Sequence, residues 1–127
     1  MKFSDAGKYA PVVVRLGLSL VLLWFGINQL LYPLNWFGWV PPSVSAFMDV
    51  HTVVLINGIF EVVFGLLLLV GIFIRFASFL LALHLLGITL SIGLNEIGVR
   101  DFGLTLAMIS VFLHGPDFWC FDSRKKA

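Results

Sequence analysis

The sequence predicts an all-α integral membrane protein, a bundle of four transmembrane helices joined by short loops. Three observations support this prediction. Of the 127 residues, 60% are hydrophobic and 12% are charged, whereas a soluble domain carries about twice that charge. The mean hydropathy is +1.03. The apolar residues also fall into blocks, most of them close to the roughly 20 residues that a helix needs to cross a bilayer.

Four blocks are predicted to span the membrane, at about residues 11–31, 53–74, 76–94 and 99–115. Each must be helical, because lipid offers no hydrogen-bond partner to a free backbone amide. Membrane strands are excluded because no stretch of about ten residues alternates between polar and apolar. The first block is too long for the apolar core of a signal peptide. Residues 1–127 are therefore expected to form a single membrane domain.

Positively charged residues predict the orientation. With four spans, seven of the eight Lys and Arg residues fall on one side and only Arg100 on the other. The positive-inside rule then predicts a cell (plasma) membrane protein with both the N and C termini cytoplasmic. The loop 32–50 contains no Lys or Arg but several aromatic residues and prolines. We expect it to form a short interfacial segment between helices 1 and 2, at the outer membrane surface.

Polar side chains within the apolar blocks predict a central site. Such groups are costly in hydrocarbon and therefore face the bundle interior or a wet cavity. From a rise of about 1.5 Å per residue, Glu61 in the second span and His84 in the third lie near mid-membrane. We expect these two residues to approach each other and to be the candidates for proton transfer. The candidate ligand-binding residues are Asn28, Gln29, Asn57, Glu61, His84, Ser91, Asn95, Arg100 and Asp101.

Several of these residues also have a purely structural interpretation. Glu61 and His84 can be hydrogen-bonded groups that lock helix packing, and Arg100 with Asp101 can form a surface ion pair or cap the last helix. Arg15, near the start of the first span, is expected to extend its charge to the inner interface.

Small and amide residues have structural alternatives too. Asn28 and Gln29 can satisfy the free carbonyls at the end of the first helix. Gly58 and Gly65 predict close helix packing, because small residues let helix backbones approach each other.

The composition gives no metal, haem or nucleic-acid site. The three histidines lie at different depths, and His84 has no evident second ligand for haem iron. The single cysteine, Cys120, excludes an internal disulfide and a Cys-x-x-Cys redox pair. A net charge of +1 gives no basic surface for nucleic acid. The residues alone name no reaction, so whether the protein is an enzyme stays open.

Six segments of the sequence match a known pattern in order and spacing. They are Arg15-Leu16-Gly17, Trp24 to Leu30, Asn57 to Gly65, Leu69 to Arg75, Arg100 to Gly103, and Gly115 to Asp122. Together they resemble the DoxX family of small four-span membrane proteins. The resemblance implies a four-helix bundle and a function as a membrane subunit of a thiosulfate:quinone oxidoreductase or of an oxidative-stress complex. Members often carry lysine at the position of Gln29, so no anion-binding role is transferred to that residue.

Three functions are left open. The first is a small membrane subunit of a quinone-linked oxidoreductase, with a polar site around Glu61, a quinone as the candidate cofactor and a redox subunit as partner. The second is a non-enzymatic scaffold or homo-oligomeric partner in the lipid membrane. The third is small-solute or proton-coupled transport through the same mid-membrane carboxyl.

Overall fold

The computed structural model describes residues 3–93 and 95–122, and the fold is all-helical over those residues. The helices are α1 (Ala10–Leu31), α2 (Pro42–Ser45), α3 (Val50–Val70), α4 (Ile74–Ile92) and α5 (Glu96–His114), with 3₁₀ helices at Phe3–Tyr9 and Pro33–Trp39. The four long helices are each long and apolar enough to cross a membrane. The prediction of an all-α protein with four membrane-spanning helices is therefore confirmed.

The ends of α3 differ from the predicted span 53–74 because capping groups decide them. The Asp49 carboxylate accepts a hydrogen bond from the backbone N–H of Thr52 (3.4 Å), so the helix begins at Val50. Gly71 adopts φ = +89°, the left-handed conformation that ends a helix, so α3 stops at Val70. The helix therefore begins three residues and ends four residues before the predicted second span.

The ends of α4 and α5 are also set by local groups. The Asn95 side-chain oxygen accepts a hydrogen bond from the backbone N–H of Gly98 (2.9 Å), so α5 begins at Glu96, three residues before the predicted 99. Helix α4 ends at Ile92. Leu94, the predicted end of the third span, lies outside the described residues. Lys2 and residues 124–126, which contribute to the predicted orientation, lie outside them as well.

The four long helices pack as two close pairs, α1 with α3 and α4 with α5. Glycines allow the first pair its close approach. A Cβ atom on Gly26 would lie 3.0 Å from the carbonyl oxygen of Gly58, and a Cβ on Gly58 would lie 3.1 Å from that of Gly26. Two turns after Gly58 on α3, a Cβ on Gly65 would lie 3.3 Å from the Leu23 side chain. The predicted packing role of Gly58 and Gly65 is confirmed, and it operates within the chain.

The apolar core fills only one half of the bundle. It lies where α1 and α4 begin and α3 and α5 end, beside the C-terminal segment. Its buried members are Leu18, Leu22, Leu68, Ile74, Leu81, Leu85, Met108, Val111 and Cys120. In the other half, toward the connection between α1 and α3, the space between the two helix pairs is left as a cavity.

A buried ion pair closes the filled half of the bundle. The Arg15 guanidinium donates through Nε to Asp117 Oδ2 at 2.7 Å, and through Nη1 to the carbonyl oxygens of Leu68 and Leu69, both at 2.8 Å. Both charged side chains are 2% exposed. The expectation that Arg15 extends to the membrane interface was wrong, because Asp117 and the carbonyl oxygens near the end of α3 satisfy its charge inside the protein.

The segment that follows α5 packs over this end of the bundle. Cys120 is fully buried against Gly71, and the backbone N–H of Phe73 donates to the Asp122 carboxylate at 2.7 Å. Burial alone would raise the pKa of the Asp117 carboxyl, but the hydrogen bond and charge of Arg15 hold that pKa below its ordinary value. Burial raises the pKa of the Cys120 thiol. The segment is therefore held by polar as well as apolar contacts.

Candidate functional site

A cavity of about 700 Å³ lies between the two helix pairs, in the half of the bundle that the apolar core leaves unfilled. Its walls come from α1, α3, α4 and α5. Its roof is the connecting segment (residues 32–49), through Trp36, Trp39, Val40, Pro41 and Val44. Its polar lining consists of Gln29, Asn57, Glu61, His84, Ser91, Arg100 and Asp101. Most of the remaining lining is apolar, as in sites for small organic ligands.

Glu61 on α3 is the most buried charged residue of the cavity lining. Each of its carboxylate oxygens accepts a hydrogen bond from a side-chain amide: Oε2 from Gln29 Nε2 at 3.3 Å, and Oε1 from Asn57 Nδ2 at 3.0 Å. The same Asn57 amide donates to Gln29 Oε1 at 2.6 Å. Asn57 lies one turn before Glu61 on α3, while Gln29 reaches across from α1. The three side chains therefore form a closed hydrogen-bonded group.

His84 on α4 faces this group. Its Nε2 atom lies 3.5 Å from Glu61 Oε1, but that nitrogen is buried and makes no hydrogen bond. The imidazole stacks on Phe60, with ring centroids 4.6 Å apart. A buried polar atom without a partner is rare in folded proteins and often marks a functional position. The expected approach of Glu61 and His84 is confirmed.

A second pair of opposite charges lines the cavity from the first turns of α5. Arg100 Nη2 lies 3.1 Å from Asp101 Oδ1, and Arg100 Nε also donates to that oxygen at 3.3 Å. The Arg100 side chain is 46% exposed, whereas that of Asp101 is buried. The guanidinium also lies over the Phe25 ring of α1, 5.1 Å from its centroid. This contact joins α5 to α1 beside the cavity.

Aromatic rings continue from Phe25 to the roof of the cavity. Phe25 makes edge-to-face contacts with Trp24 (ring centroids 5.0 Å apart) and with Trp36 (5.6 Å). All three rings line the cavity. Aromatic faces bind flat apolar rings well, because they offer a large contact area in a fixed orientation.

The structure brings seven of the nine predicted ligand-binding residues to the cavity and leaves two outside it. Asn28 donates to the Trp24 carbonyl oxygen at 2.8 Å, on a different side of α1 from Gln29. Asn95 caps α5. Ser91 lines the cavity, but its hydroxyl donates to the carbonyl oxygen of Gly87 on its own helix. The polar centre therefore consists of Gln29, Asn57, Glu61 and His84, with Arg100 and Asp101 beside it.

Two features were not predicted from the sequence. The first is which residues of the connecting segment form the roof, because residues 39–44 carry no helical periodicity that would indicate an inward face. The second is the partner of Arg15. A buried arginine predicts a carboxylate nearby, and Asp117, after the Gly115-Pro116 break, was an available signal.

The described residues hold no group of three or more His, Cys, Asp or Glu side chains placed to bind a metal ion. Comparison with known families gives a match to the DoxX family model over residues 10–94, from the first residue of α1 to two residues past the end of α4. Neither the curated proteins nor the solved structures gave a match. The match covers about two thirds of the chain, so the protein belongs to the DoxX family of membrane proteins.

Proposed function

We propose that this protein is the quinone-binding membrane subunit of an oxidoreductase, and that the cavity between the helix pairs holds the quinone headgroup. The main support is the cavity itself, which combines aromatic walls with the polar pair Glu61 and His84. Its volume of about 700 Å³ lies in the range of small-molecule sites, about 300–1,000 Å³.

The chemistry of a quinone matches this lining. A quinone is a flat apolar ring with carbonyl oxygens that accept hydrogen bonds, and it carries a lipid-soluble tail. The rings of Trp24, Phe25 and Trp36 supply flat apolar surface. His84 supplies a ring nitrogen that can donate to a carbonyl oxygen. Glu61 lies behind the imidazole, with its Oε1 atom 3.5 Å from Nε2.

Electrons for this reaction come from a partner. Reduction of a quinone to a quinol takes two electrons and two protons. The single cysteine of the chain is buried at the far end of the bundle, so no dithiol pair can supply electrons. We propose a redox subunit as the electron donor, with this chain providing the quinone site and one of the two protons.

The alternative functions receive less support. The scaffold hypothesis had two motives, the lack of a complete catalytic set and close-packing faces marked by glycines. The second motive is weakened because Gly26, Gly58 and Gly65 pack inside the bundle. A transport pathway has to cross the membrane, whereas the cavity ends at the apolar core around Leu22, Leu85 and Met108. A cavity closed at one end is better suited to holding a ligand.

We also propose that the cavity half faces the outer side of the plasma membrane and that both termini are cytoplasmic. Lys8, Arg15 and Arg75 lie at the filled end of the bundle and Arg100 near the other, as the positive-inside rule requires. The connecting segment contains no charged side chain between residues 33 and 48. Its Phe47 side chain is 92% exposed and Leu34 is exposed as well. Such a surface is suited to the membrane interface.

The proposal is tested by purifying the protein in mild detergent and identifying quinone in an organic extract by mass spectrometry. We expect about one quinone per protein, with most of it lost in Glu61→Gln. Glu96→Gln is the matched control, because Glu96 is an exposed residue in the first turn of α5. A folded preparation that holds phospholipid but no quinone, and takes up none when quinone is added, would overturn the proposal.

A further inference from the structure

We infer that Glu61 and His84 together hold one proton as an electroneutral pair, that Gln29 and Asn57 are positioning residues for this pair, and that His84 is the member that faces the ligand. The identity of the ligand rests on the proposed function. The proton content of the pair does not, since it follows from contacts within the protein.

The direction of the hydrogen bonds indicates an ionised carboxylate. Glu61 accepts one amide hydrogen bond on each oxygen, from Gln29 and from Asn57. The Asn57 amide also donates to the Gln29 side-chain carbonyl and so fixes which end of Gln29 points at Glu61. An ionised carboxylate accepts hydrogen bonds and donates none, so one amide donor on each of its oxygens matches that state.

A buried carboxylate also needs a counter-charge, and His84 is the group placed to provide it. A charge near the centre of a membrane is costly unless it is paired. From α1 the carboxylate faces the neutral Gln29, and the connecting segment has no charged residue at 33–48. From α5, Arg100 is bonded to Asp101. His84 Nε2, at 3.5 Å from Glu61 Oε1, therefore carries the proton that balances the pair.

The exposure of the two side chains indicates which residue of the Glu61–His84 pair contacts the ligand. The Glu61 side chain is 5% exposed, whereas that of His84 is 21% exposed and lines the cavity. The separation of 3.5 Å is longer than the roughly 2.7–2.9 Å of a tight charge-assisted hydrogen bond. The imidazole is therefore only loosely held by Glu61. Its Nε2 atom is buried and faces Glu61, so Nδ1, the other N–H of a charged imidazole, is the donor to an oxygen atom in the cavity.

The Glu61–His84 pair can supply one of the two protons that reduction of a quinone requires. When the partner redox subunit delivers two electrons to a bound quinone, one O–H bond forms on the quinone and one N–H bond of His84 breaks. The second O–H bond forms with a proton that arrives from the aqueous phase as H₃O⁺, through water that enters the cavity, and neutral water is left behind. Glu61 keeps its negative charge, so it favours return of a proton to His84 afterwards.

The test measures the charge of His84 directly, in protein without added quinone. ¹⁵N NMR of histidine-labelled protein reports whether an imidazole is neutral or charged, and the His84 signal is assigned by its loss in His84→Asn. We expect a charged imidazole near neutral pH in the parent protein, a neutral one in Glu61→Gln, and no change in Glu96→Gln. A neutral His84 in the parent protein, or a charged one in folded Glu61→Gln, would overturn the inference.

A second measurement tests the positioning residues and does not depend on Glu61→Gln folding. In Gln29→Leu and Asn57→Leu, one Glu61 oxygen loses its amide donor, so the proton should move from His84 to the carboxyl. The infrared C=O stretch of a protonated carboxyl should then appear, and the His84 signal should become neutral. Asn28→Leu is the matched control, because its amide lies outside the cavity. If both variants keep an ionised Glu61, Gln29 and Asn57 are not positioning residues.

Failure of this inference and failure of the proposed function can be distinguished. A charged His84 in a protein that never binds quinone supports the pair and refutes the quinone function. A neutral His84 in a protein that binds quinone at Glu61 refutes the pair and leaves the quinone function standing.

Discussion

Replacing Asp117 with asparagine should strongly destabilise the bundle, although Asp117 lies beyond the last membrane helix. The substitution leaves the buried Arg15 guanidinium without its counter-charge. Arg15 keeps its hydrogen bonds to the carbonyl oxygens of Leu68 and Leu69. Breaking a buried ion pair by removing one partner costs about 3–5 kcal/mol. We expect a loss toward the lower end of this range, since the carbonyl oxygens continue to hold part of the charge.

The assay is reversible unfolding in mixed micelles, followed by circular dichroism as denaturing detergent is added. Asp5→Asn is the matched control: it removes an exposed carboxylate near the same end of the bundle and should change the free energy of unfolding by less than about 0.5 kcal/mol. The double variant Arg15→Met/Asp117→Leu should be more stable than the sum of its single substitutions predicts, because no unpaired charge remains. If the free energy of unfolding of Asp117→Asn differs from that of the parent protein by less than about 0.5 kcal/mol, as expected for the control, the Arg15–Asp117 pair does not stabilise the bundle as proposed.

Three further predictions concern the same bundle. The stability that Asp117 adds should be fully present above its ordinary pKa of 3.8 and lost as the pH falls through its lower folded value, so the gap between parent and Asp117→Asn should narrow in acid unfolding curves. Gly26→Ala should lower the free energy of unfolding by about 1–3 kcal/mol, because the added Cβ would lie 2.8 Å from Val62 and 3.0 Å from a backbone oxygen. Gly17→Ala should not destabilise the protein, because its Cβ meets open space. Unfolding in denaturing detergent compares the two variants. Cys120 should react slowly with a maleimide in the folded protein, because the thiol is buried and its pKa is raised, and quickly in the unfolded protein. Mass spectrometry follows the labelling, and equal rates in the two states would contradict the structure.

Much of the fold could be predicted because the membrane restricts what a chain can do. Four apolar blocks must be helices, and polar residues within them must face inward. On α1 the buried residues include the polar Ser19 and Gln29, as the inward-facing rule requires. The contact between Glu61 and His84 followed from depth alone, since helices in a small bundle bring residues at equal depth close together.

The remaining features depended on information that periodicity does not contain. Asn28 and Gln29 are neighbours in sequence, yet about 100° apart on a helix, so only one of them lines the cavity. Asn95 serves as a cap because the chain turns at Gly93. On α4 the buried face runs through Leu81 and Leu85 rather than through His84, which faces the cavity instead. The close contact of α1 and α3 at Gly26 and Gly58 depends on both helices together and cannot be read from either one.

The most direct test of the central claim is to locate a bound quinone on the protein. A photoreactive quinone analogue is cross-linked to the purified protein in detergent, and the labelled residues are mapped by mass spectrometry with and without excess natural quinone. We predict labels on the cavity walls, at Trp24 and Phe25 on α1 and close to His84 on α4, that disappear under competition. Labels confined to lipid-facing side chains such as Leu20 and Val63, and unaffected by competition, would contradict a quinone site in this cavity.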